Sequence, residues 1–193
     1  MEFEKAKSFI LNRLKKELPA QRTYHTVAHV LDVYECAERI GKAEGISDSD
    51  MKLVLTAAMF HDCGFIIKGD DHELISCDIA KQSLPAFGYS PQEIETICNL
   101  VLATRIPQEP KTLLEKIICD ADLDYLGRDD FFDIGDRLAE ELMAYNSIKT
   151  REEWNRLQVR FLEQHHYWTQ TSIASRKAKK DEHFLYLKKH IGT

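Results

Sequence analysis

Residues 24–40 read YHTVAHVLDVYECAERI, and their apolar positions recur at the spacing of one helix face. The apolar residues that follow this spacing are Val27, Val30, Leu31, Tyr34, Ala37 and Ile40. Recurrence at i, i+3 and i+4 is typical of an amphipathic α-helix whose apolar side lies in a core. We therefore predict a helix here that fades at Gly41 and Gly45.

The same helical period continues on both sides of this stretch. A first helix is predicted before Pro19, on the face that carries Phe3, Ala6, Ile10, Leu11 and Leu14, and a third on the face of Leu53, Val54, Ala57, Ala58 and Met59. Ser90, Thr112 and Thr150 each stand three positions before a glutamate, which is the pattern of a capping box at a helix start. Because no alternating strand pattern interrupts these segments, the sequence predicts an all-α fold of about eight or nine helices.

Length, composition and charge limit which classes of protein the chain can belong to. The chain has 193 residues, of which 44% are hydrophobic, and 26 basic against 32 acidic residues give a net charge of −6. This length predicts a single domain over 1–193 with a self-sufficient core. The negative balance is atypical of proteins that coat nucleic acid or an anionic membrane. The five cysteines form no C-x-x-C pair and no signal or membrane segment is recognised, so we expect reduced thiols and a cytoplasmic location.

Two histidine-containing segments are candidates for metal chemistry. His25 and His29 are spaced i, i+4, so on one helix they would share a face. His61 and Asp62 directly follow the apolar residues of the third helix. Ionisable groups at such a position are costly to bury unless a partner compensates them, and a bound cation would compensate both.

A later segment supplies further carboxylates. In 115–127, EKIICDADLDYLG, Asp120, Asp122 and Asp124 interrupt a core-type run. Asp120 and Asp124 are i, i+4 and can face one side of a helix, whereas Asp122 points roughly the opposite way. We take His29, His61, Asp62 and Asp120 as a candidate ligand set and leave Asp122 as the alternative to Asp120. Such nitrogen and oxygen donors suit Mn, Fe, Zn, Co, Ni or Mg.

The order His, His-Asp, Asp on helices resembles the HD superfamily of metal-dependent phosphohydrolases. The segment YHTVAHVLDV is also similar to the Tyr-His-Asn-x-x-His segment of cyclic-nucleotide phosphodiesterases. The resemblance covers about 22–127 and implies that the helices of about 129–190 pack on this core. It implies an enzyme that cleaves a phosphoester of a nucleotide or another small phosphorylated metabolite by attack of metal-bound hydroxide.

The resemblance also implies roles. His29, His61, Asp62 and Asp120 would hold the ion, and Asp62 could bridge a second ion if one binds. His25 would donate a proton to the leaving oxygen.

His72 and Arg105 are candidates for binding the phosphate. Thr104 and Arg105 stand where the dinuclear branches supply another histidine, so we expect one divalent ion per chain. The oligomeric state is left open.

Two other classes remain. A minority of HD proteins use two irons to oxidise carbon with dioxygen, and an HD pocket can also serve as a non-catalytic module that senses a ligand. Two irons per chain with oxygen consumption would indicate the oxidase. Nucleotide binding without hydrolysis under any divalent ion would indicate the module.

Overall fold

The structure is a computed structural model that describes residues 1–190. Within this range the chain forms nine α-helices and no β-strand, which confirms the all-α prediction. The helices are α1 (Phe3–Glu17), α2 (Val27–Glu44), α3 (Asp48–Phe60), α4 (His72–Ser83), α5 (Pro91–Ala103), α6 (Leu113–Asp122), α7 (Phe131–Ala144), α8 (Arg151–Gln164) and α9 (Gln170–His190). Short 3-10 turns follow α3, α4 and α6 at Cys63–Ile66, Leu84–Phe87 and Asp124–Gly127.

Local sequence signals account for most of the helix starts. Ser90 and Thr112 form complete capping boxes with the glutamates three positions later. Thr150 forms only half of one: its hydroxyl accepts a hydrogen bond from the amide of Glu153 at 3.1 Å, but the Glu153 carboxylate accepts from the amide of Lys149 at 2.6 Å. The helix still begins where the sequence predicts, because the hydroxyl satisfies one free amide of the first turn.

The main core lies among the first six helices. α2 packs against α3 and α6, and its fully buried Ile40 joins Phe60 of α3 and Ile117 of α6 in one apolar cluster. This packing places the start of α2 and the ends of α3 and α6 together. The candidate ligands are carried by those three helix ends.

The C-terminal helices build a second apolar cluster, which includes Leu126, Phe131, Leu162 and Leu187. It is joined to the main core by the buried carboxylate of Asp124. Asp124 accepts hydrogen bonds from Arg39 of α2 at 2.6 Å and Arg176 of α9 at 2.9 Å. Two guanidinium groups therefore compensate this buried charge and connect α2 with α9.

The five cysteines are all buried and none is in a disulfide. Within residues 1–190, no helix combines the length and apolar character needed to cross a bilayer.

Candidate metal centre

Three side chains converge where the ends of α2, α3 and α6 meet. The Nε2 atoms of His29 and His61 lie 3.3 Å apart, and Oδ1 of Asp122 lies 3.2 Å from the first and 3.4 Å from the second. Two imidazole nitrogens and a carboxylate oxygen directed at one point form a donor set suited to a divalent cation.

Asp62 completes this group. Its Oδ2 lies 3.3 Å from Nε2 of His29 and 3.1 Å from Nε2 of His61. This oxygen is buried, and no group of residues 1–190 donates a hydrogen bond to it with acceptable geometry. A buried carboxylate oxygen without a donor is unfavourable. The site therefore fits a cation, which would contact the oxygen and both imidazoles.

Backbone contacts orient the imidazole of His61. Its Nδ1 donates a hydrogen bond to the carbonyl oxygen of Ala58 at 2.9 Å, within the last turn of α3. In the neutral ring this contact fixes the proton on Nδ1 and leaves the Nε2 lone pair directed at the cluster. That tautomer is the one that binds a metal through Nε2.

The structure corrects the choice between Asp120 and Asp122. Asp120 is fully buried on the other side of α6, where Oδ1 accepts from the amide of Trp168 at 2.9 Å. Its Oδ2 accepts from the amide of Thr169 at 2.8 Å and from the Thr169 hydroxyl at 2.7 Å. Asp120 therefore anchors the segment before α9, and Asp122 is the aspartate that faces the histidines.

The electrostatics of the cluster follow from this proximity. Burial disfavours the charged form of His29, but the carboxylates of Asp122 and Asp62 outweigh it and raise the pKa of His29 to about 9. Burial also opposes ionisation of Asp122, but hydrogen bonding to His29 and His61 lowers the pKa of Asp122 to about 2. The two carboxylates thus favour positive charge at the point where the four side chains meet.

His25 lies beside the cluster but not on the predicted helix. Thr26 is the N-cap of α2, so His25 precedes the helix, and the expectation that His25 and His29 share one helix is corrected. The two rings are nevertheless only 6.0 Å apart between centroids. Nδ1 of His25 lies 2.5 Å from Oε1 of Glu141 in α7.

Glu141 is a site residue that the sequence analysis did not identify. Its carboxylate also accepts from the amides of Tyr24 and His25 at 2.9 and 3.0 Å, and from Arg22 at 2.8 Å. Burial disfavours the anion, but these contacts, led by that to His25, lower the pKa of Glu141 to about 2. No local pattern marks this glutamate, because its partners lie more than a hundred residues away in the sequence.

A cavity of about 270 Å³ opens beside the cluster and is lined in part by His25, Asp62, His72 and Asp122. His72 donates from Nδ1 to the carbonyl oxygen of Gly69 at 3.0 Å, and its Nε2 lies 3.5 Å from Oδ1 of Asp62. The Phe65 ring lies between the two outer imidazoles, with centroids 4.0 Å from that of His25 and 4.1 Å from that of His72. His72 thus lines the cavity next to Asp62.

Arg105 is not brought to this cavity. Its neighbours Thr104 and Ile106 line the wall, but its own guanidinium donates to Asp71 at 2.7 Å and is half exposed. The structure therefore corrects the expectation that Arg105 contacts the substrate phosphate.

Comparison with known proteins agrees with this geometry. The HD domain family model matches residues 26–124, just over half of the chain, and this range contains His29, His61, Asp62 and Asp122. The chain therefore belongs to the HD domain family.

An uncharacterized protein of Clostridium beijerinckii is 32% identical over 101 residues, which cover 50% of this chain and 64% of that protein. The match thus spans somewhat less than two thirds of that relative.

Two solved structures have a similar fold. One is described as a predicted HD superfamily hydrolase from an uncultured Thermotogales bacterium, with a TM-score of 0.60, 21% identity, and coverage of 94% of this chain and 87% of that one. The other is a protein of Lactobacillus plantarum, with a TM-score of 0.64, 17% identity and 98% coverage of both chains. At these identities the likeness concerns the fold.

Proposed function

We propose that this protein is a metal-dependent phosphohydrolase that acts on a phosphoester of a nucleotide or another small phosphorylated metabolite. The observation that carries the proposal is the convergence of His29, His61 and Asp122, whose donor atoms all lie within 4.8 Å of one another. Asp62 lies against the same point, and a cavity of about 270 Å³ with mostly apolar walls opens beside it. The description of the Thermotogales neighbour as a hydrolase is consistent with this proposal.

His29, His61, Asp62 and Asp122 would hold one divalent ion. A bound ion of this kind lowers the pKa of a coordinated water and offsets charge on a phosphoryl oxygen. The four residues lie at or next to the ends of three helices that pack together, so the fold itself brings them close. The mixed nitrogen and oxygen donors suit Mn, Fe, Co, Ni, Zn or Mg, and the identity of the ion is a matter for experiment.

His25 is proposed to protonate the leaving oxygen. Its Nδ1 is engaged by Glu141, which directs the other ring nitrogen, Nε2, away from that contact, and the ring lines the cavity. Because the pKa of Glu141 is about 2, its carboxylate stays ionised at neutral pH and can accept the Nδ1 proton of the His25 ring. A histidine held in this way can deliver a proton to an ester oxygen as the bond to phosphorus breaks.

Two imidazoles beside the cluster suit a phosphoryl group. His72 and His25 flank Phe65, line the cavity and would contact a phosphoryl group bound there. We place this activity in the cytoplasm, in line with the five unpaired cysteines.

A metal-supplemented assay tests the proposal. The protein is stripped with a chelator, reloaded separately with Mn, Fe, Co, Ni, Zn or Mg, and incubated with nucleoside monophosphates, cyclic nucleotides and generic phosphoesters. The proposal expects release of phosphate or of a phosphomonoester product with at least one ion, and background release from the stripped protein.

Two results would contradict the proposal. Two irons per chain with oxygen consumption would identify an oxidase. Tight nucleotide binding with background hydrolysis under every ion would identify a ligand-sensing module.

A further inference from the structure

The cavity beside the proposed metal centre extends into an apolar chamber between α7 and α8. The walls of this chamber are formed by Leu138, Leu142, Trp154, Leu157, Gln158 and Phe161. Tyr24 and Leu126, near the metal centre, belong to one apolar cluster, whereas Trp154 packs with Ala139 and Ile148 in another. The chamber is therefore the end of the cavity that lies away from the metal ligands.

Two side chains of the chamber walls carry a polar group without a partner. Trp154 and Gln158 stand one turn apart on α8 and are only 4% and 8% exposed. Within residues 1–190 the Gln158 amide makes no hydrogen bond, and its polar atoms are not among the fully buried unpaired ones. Nε1 of Trp154 also lacks an acceptor within this range, but that nitrogen is fully enclosed by protein atoms and does not border the cavity. Leaving such groups unpaired costs free energy, and most buried polar groups in proteins are satisfied. A ligand that enters the chamber can supply a partner for the Gln158 amide.

The facing helix leaves room for these two side chains. Gly135 of α7 has no side chain, and a Cβ atom there would lie 3.3 Å from Oε1 of Gln158 and 3.7 Å from Cζ2 of Trp154. The indole and the amide therefore lie directly against the α7 backbone. Close packing against α7 therefore fixes the positions of both side chains.

The charge of the cavity lining limits how many phosphoryl groups a ligand can carry at the end near the metal centre. No lysine or arginine of residues 1–190 lines it, whereas the carboxylates of Asp62, Glu73 and Asp122 do. Two nearby guanidinium groups are already engaged, that of Arg22 with Glu141 at 2.8 Å and that of Arg105 with Asp71 at 2.7 Å. One phosphoryl group can be matched by the proposed ion and by His25 and His72, but a second would meet no cation.

We propose that the cavity selects a phosphomonoester with a single phosphoryl group and an apolar body that ends in a hydrogen-bond acceptor, such as a carbonyl oxygen or a ring nitrogen. The acceptor accepts a hydrogen bond from the N–H of the Gln158 amide, and the leucine and phenylalanine side chains surround the body. This inference rests on the proposed function, since it places the phosphoryl group at the metal centre.

The reaction that follows balances simply. Water adds to phosphorus, the ester P–O bond breaks, and the leaving oxygen takes a proton. The products are inorganic phosphate and an alcohol or phenol that retains the apolar body.

Binding of non-hydrolysable phosphonates tests this selection independently of turnover. The metal-loaded protein is titrated by calorimetry with 4-acetamidobenzylphosphonate, 4-isopropylbenzylphosphonate and methylphosphonate. Burial of an aromatic body in a largely apolar chamber should make both benzylphosphonates bind at least about tenfold more tightly than methylphosphonate. Equal affinity of all three would overturn the inference and leave the proposed function standing.

One variant tests the polar end of the chamber. Gln158→Leu should weaken binding of the acetamido compound by about threefold to tenfold, the effect of one neutral hydrogen bond, and leave the isopropyl compound unaffected. Gln92→Leu, which changes an exposed glutamine of α5, is the matched control and should change neither affinity. A loss of affinity for both benzylphosphonates alike would contradict the assigned hydrogen bond.

Two further outcomes separate this inference from the proposed function. If 4-acetamidobenzyl diphosphate binds more tightly than the monophosphonate, the restriction to one phosphoryl group is wrong. If the benzylphosphonates bind as expected but no phosphomonoester is hydrolysed under any ion, the selection stands and the proposed hydrolysis fails. Because the ligand series uses the wild-type protein, it remains decisive even if a variant does not fold.

Discussion

The Nδ1 atom of His25 lies 2.5 Å from Oε1 of Glu141, and this contact joins the segment before α2 to α7 across 116 residues of sequence. The same carboxylate accepts the backbone amides of Tyr24 and His25 and is only 1% exposed. His25 is thus fixed by a buried anion from the C-terminal helices, while the proposed ligands come from α2, α3 and α6. The proposed proton donor and the proposed metal ligands are therefore separable sets of side chains.

Replacement of His25 by alanine should separate these two functions. We expect turnover to fall by about 100-fold, the lower end of what a positioned proton donor contributes. Metal content should stay at the wild-type level, because His25 donates no atom to the cluster of His29, His61 and Asp122. Turnover and metal-to-protein ratio are measured on the same preparations. Unchanged turnover would remove the proposed acid role of His25.

The Glu141→Gln variant should lower the free energy of unfolding by an amount that depends on pH, because it removes a charged carboxylate. The pKa of Glu141 is about 2 in the folded protein and 4.5 in its ordinary state, so the anion stabilises the fold above about pH 4.5. That contribution is lost as the pH falls from about 4.5 towards 2. We expect the variant to have a free energy of unfolding lower by about 2–3 kcal/mol at pH 7, with a smaller deficit at pH 3.

Denaturant titrations of both proteins at a series of pH values measure this difference. A deficit that stays constant between pH 7 and pH 3 would show that the effect of Glu141 is not that of its charge. Kinetics of the same variant supply a second check, since turnover should fall with metal content retained.

Replacement of Arg105 by alanine should have little effect. Its guanidinium is half exposed and pairs with the exposed carboxylate of Asp71, and such pairs contribute roughly 0–1 kcal/mol. We expect kcat/KM to change by less than about twofold, because no contact places Arg105 in the cavity. A large rise in KM with kcat preserved would contradict this expectation and indicate that Arg105 binds the substrate.

Much of the fold could be predicted from local sequence. Two kinds of signal act within one or two helix turns and are therefore recognisable without tertiary information. They are the periodic apolar faces of α1, α2 and α3, and the capping residues Ser90 and Thr112. His61-Asp62 was also recognisable, because two ionisable groups at the end of an apolar helix need a partner. Thr150 shows that the capping-box pattern does not fix every contact, because the Glu153 carboxylate accepts from the amide of Lys149 and not from that of Thr150.

The errors at the site arose where long-range partners decide a side chain's role. Helix geometry correctly placed Asp120 and Asp122 on opposite sides of α6, but it could not say which side faces the histidines. The amides of Trp168 and Thr169 donate hydrogen bonds to the carboxylate of Asp120. These contacts turn Asp120 away from the histidines and leave Asp122 facing them. Glu141 escaped recognition for the same reason, since its partners precede it by more than a hundred residues.

Metal content of a matched pair of α6 variants tests the central claim most directly. Asp122→Asn and Asp120→Asn each remove one carboxylate, and the two positions are only two residues apart in α6. The ion-to-protein ratio of each variant is measured after reloading with a single divalent metal. We predict that Asp122→Asn loses most of the ion, whereas Asp120→Asn keeps it and is instead less stable to denaturant, because Asp120 anchors Trp168 and Thr169. Full metal occupancy in Asp122→Asn together with loss in Asp120→Asn would contradict the proposed centre.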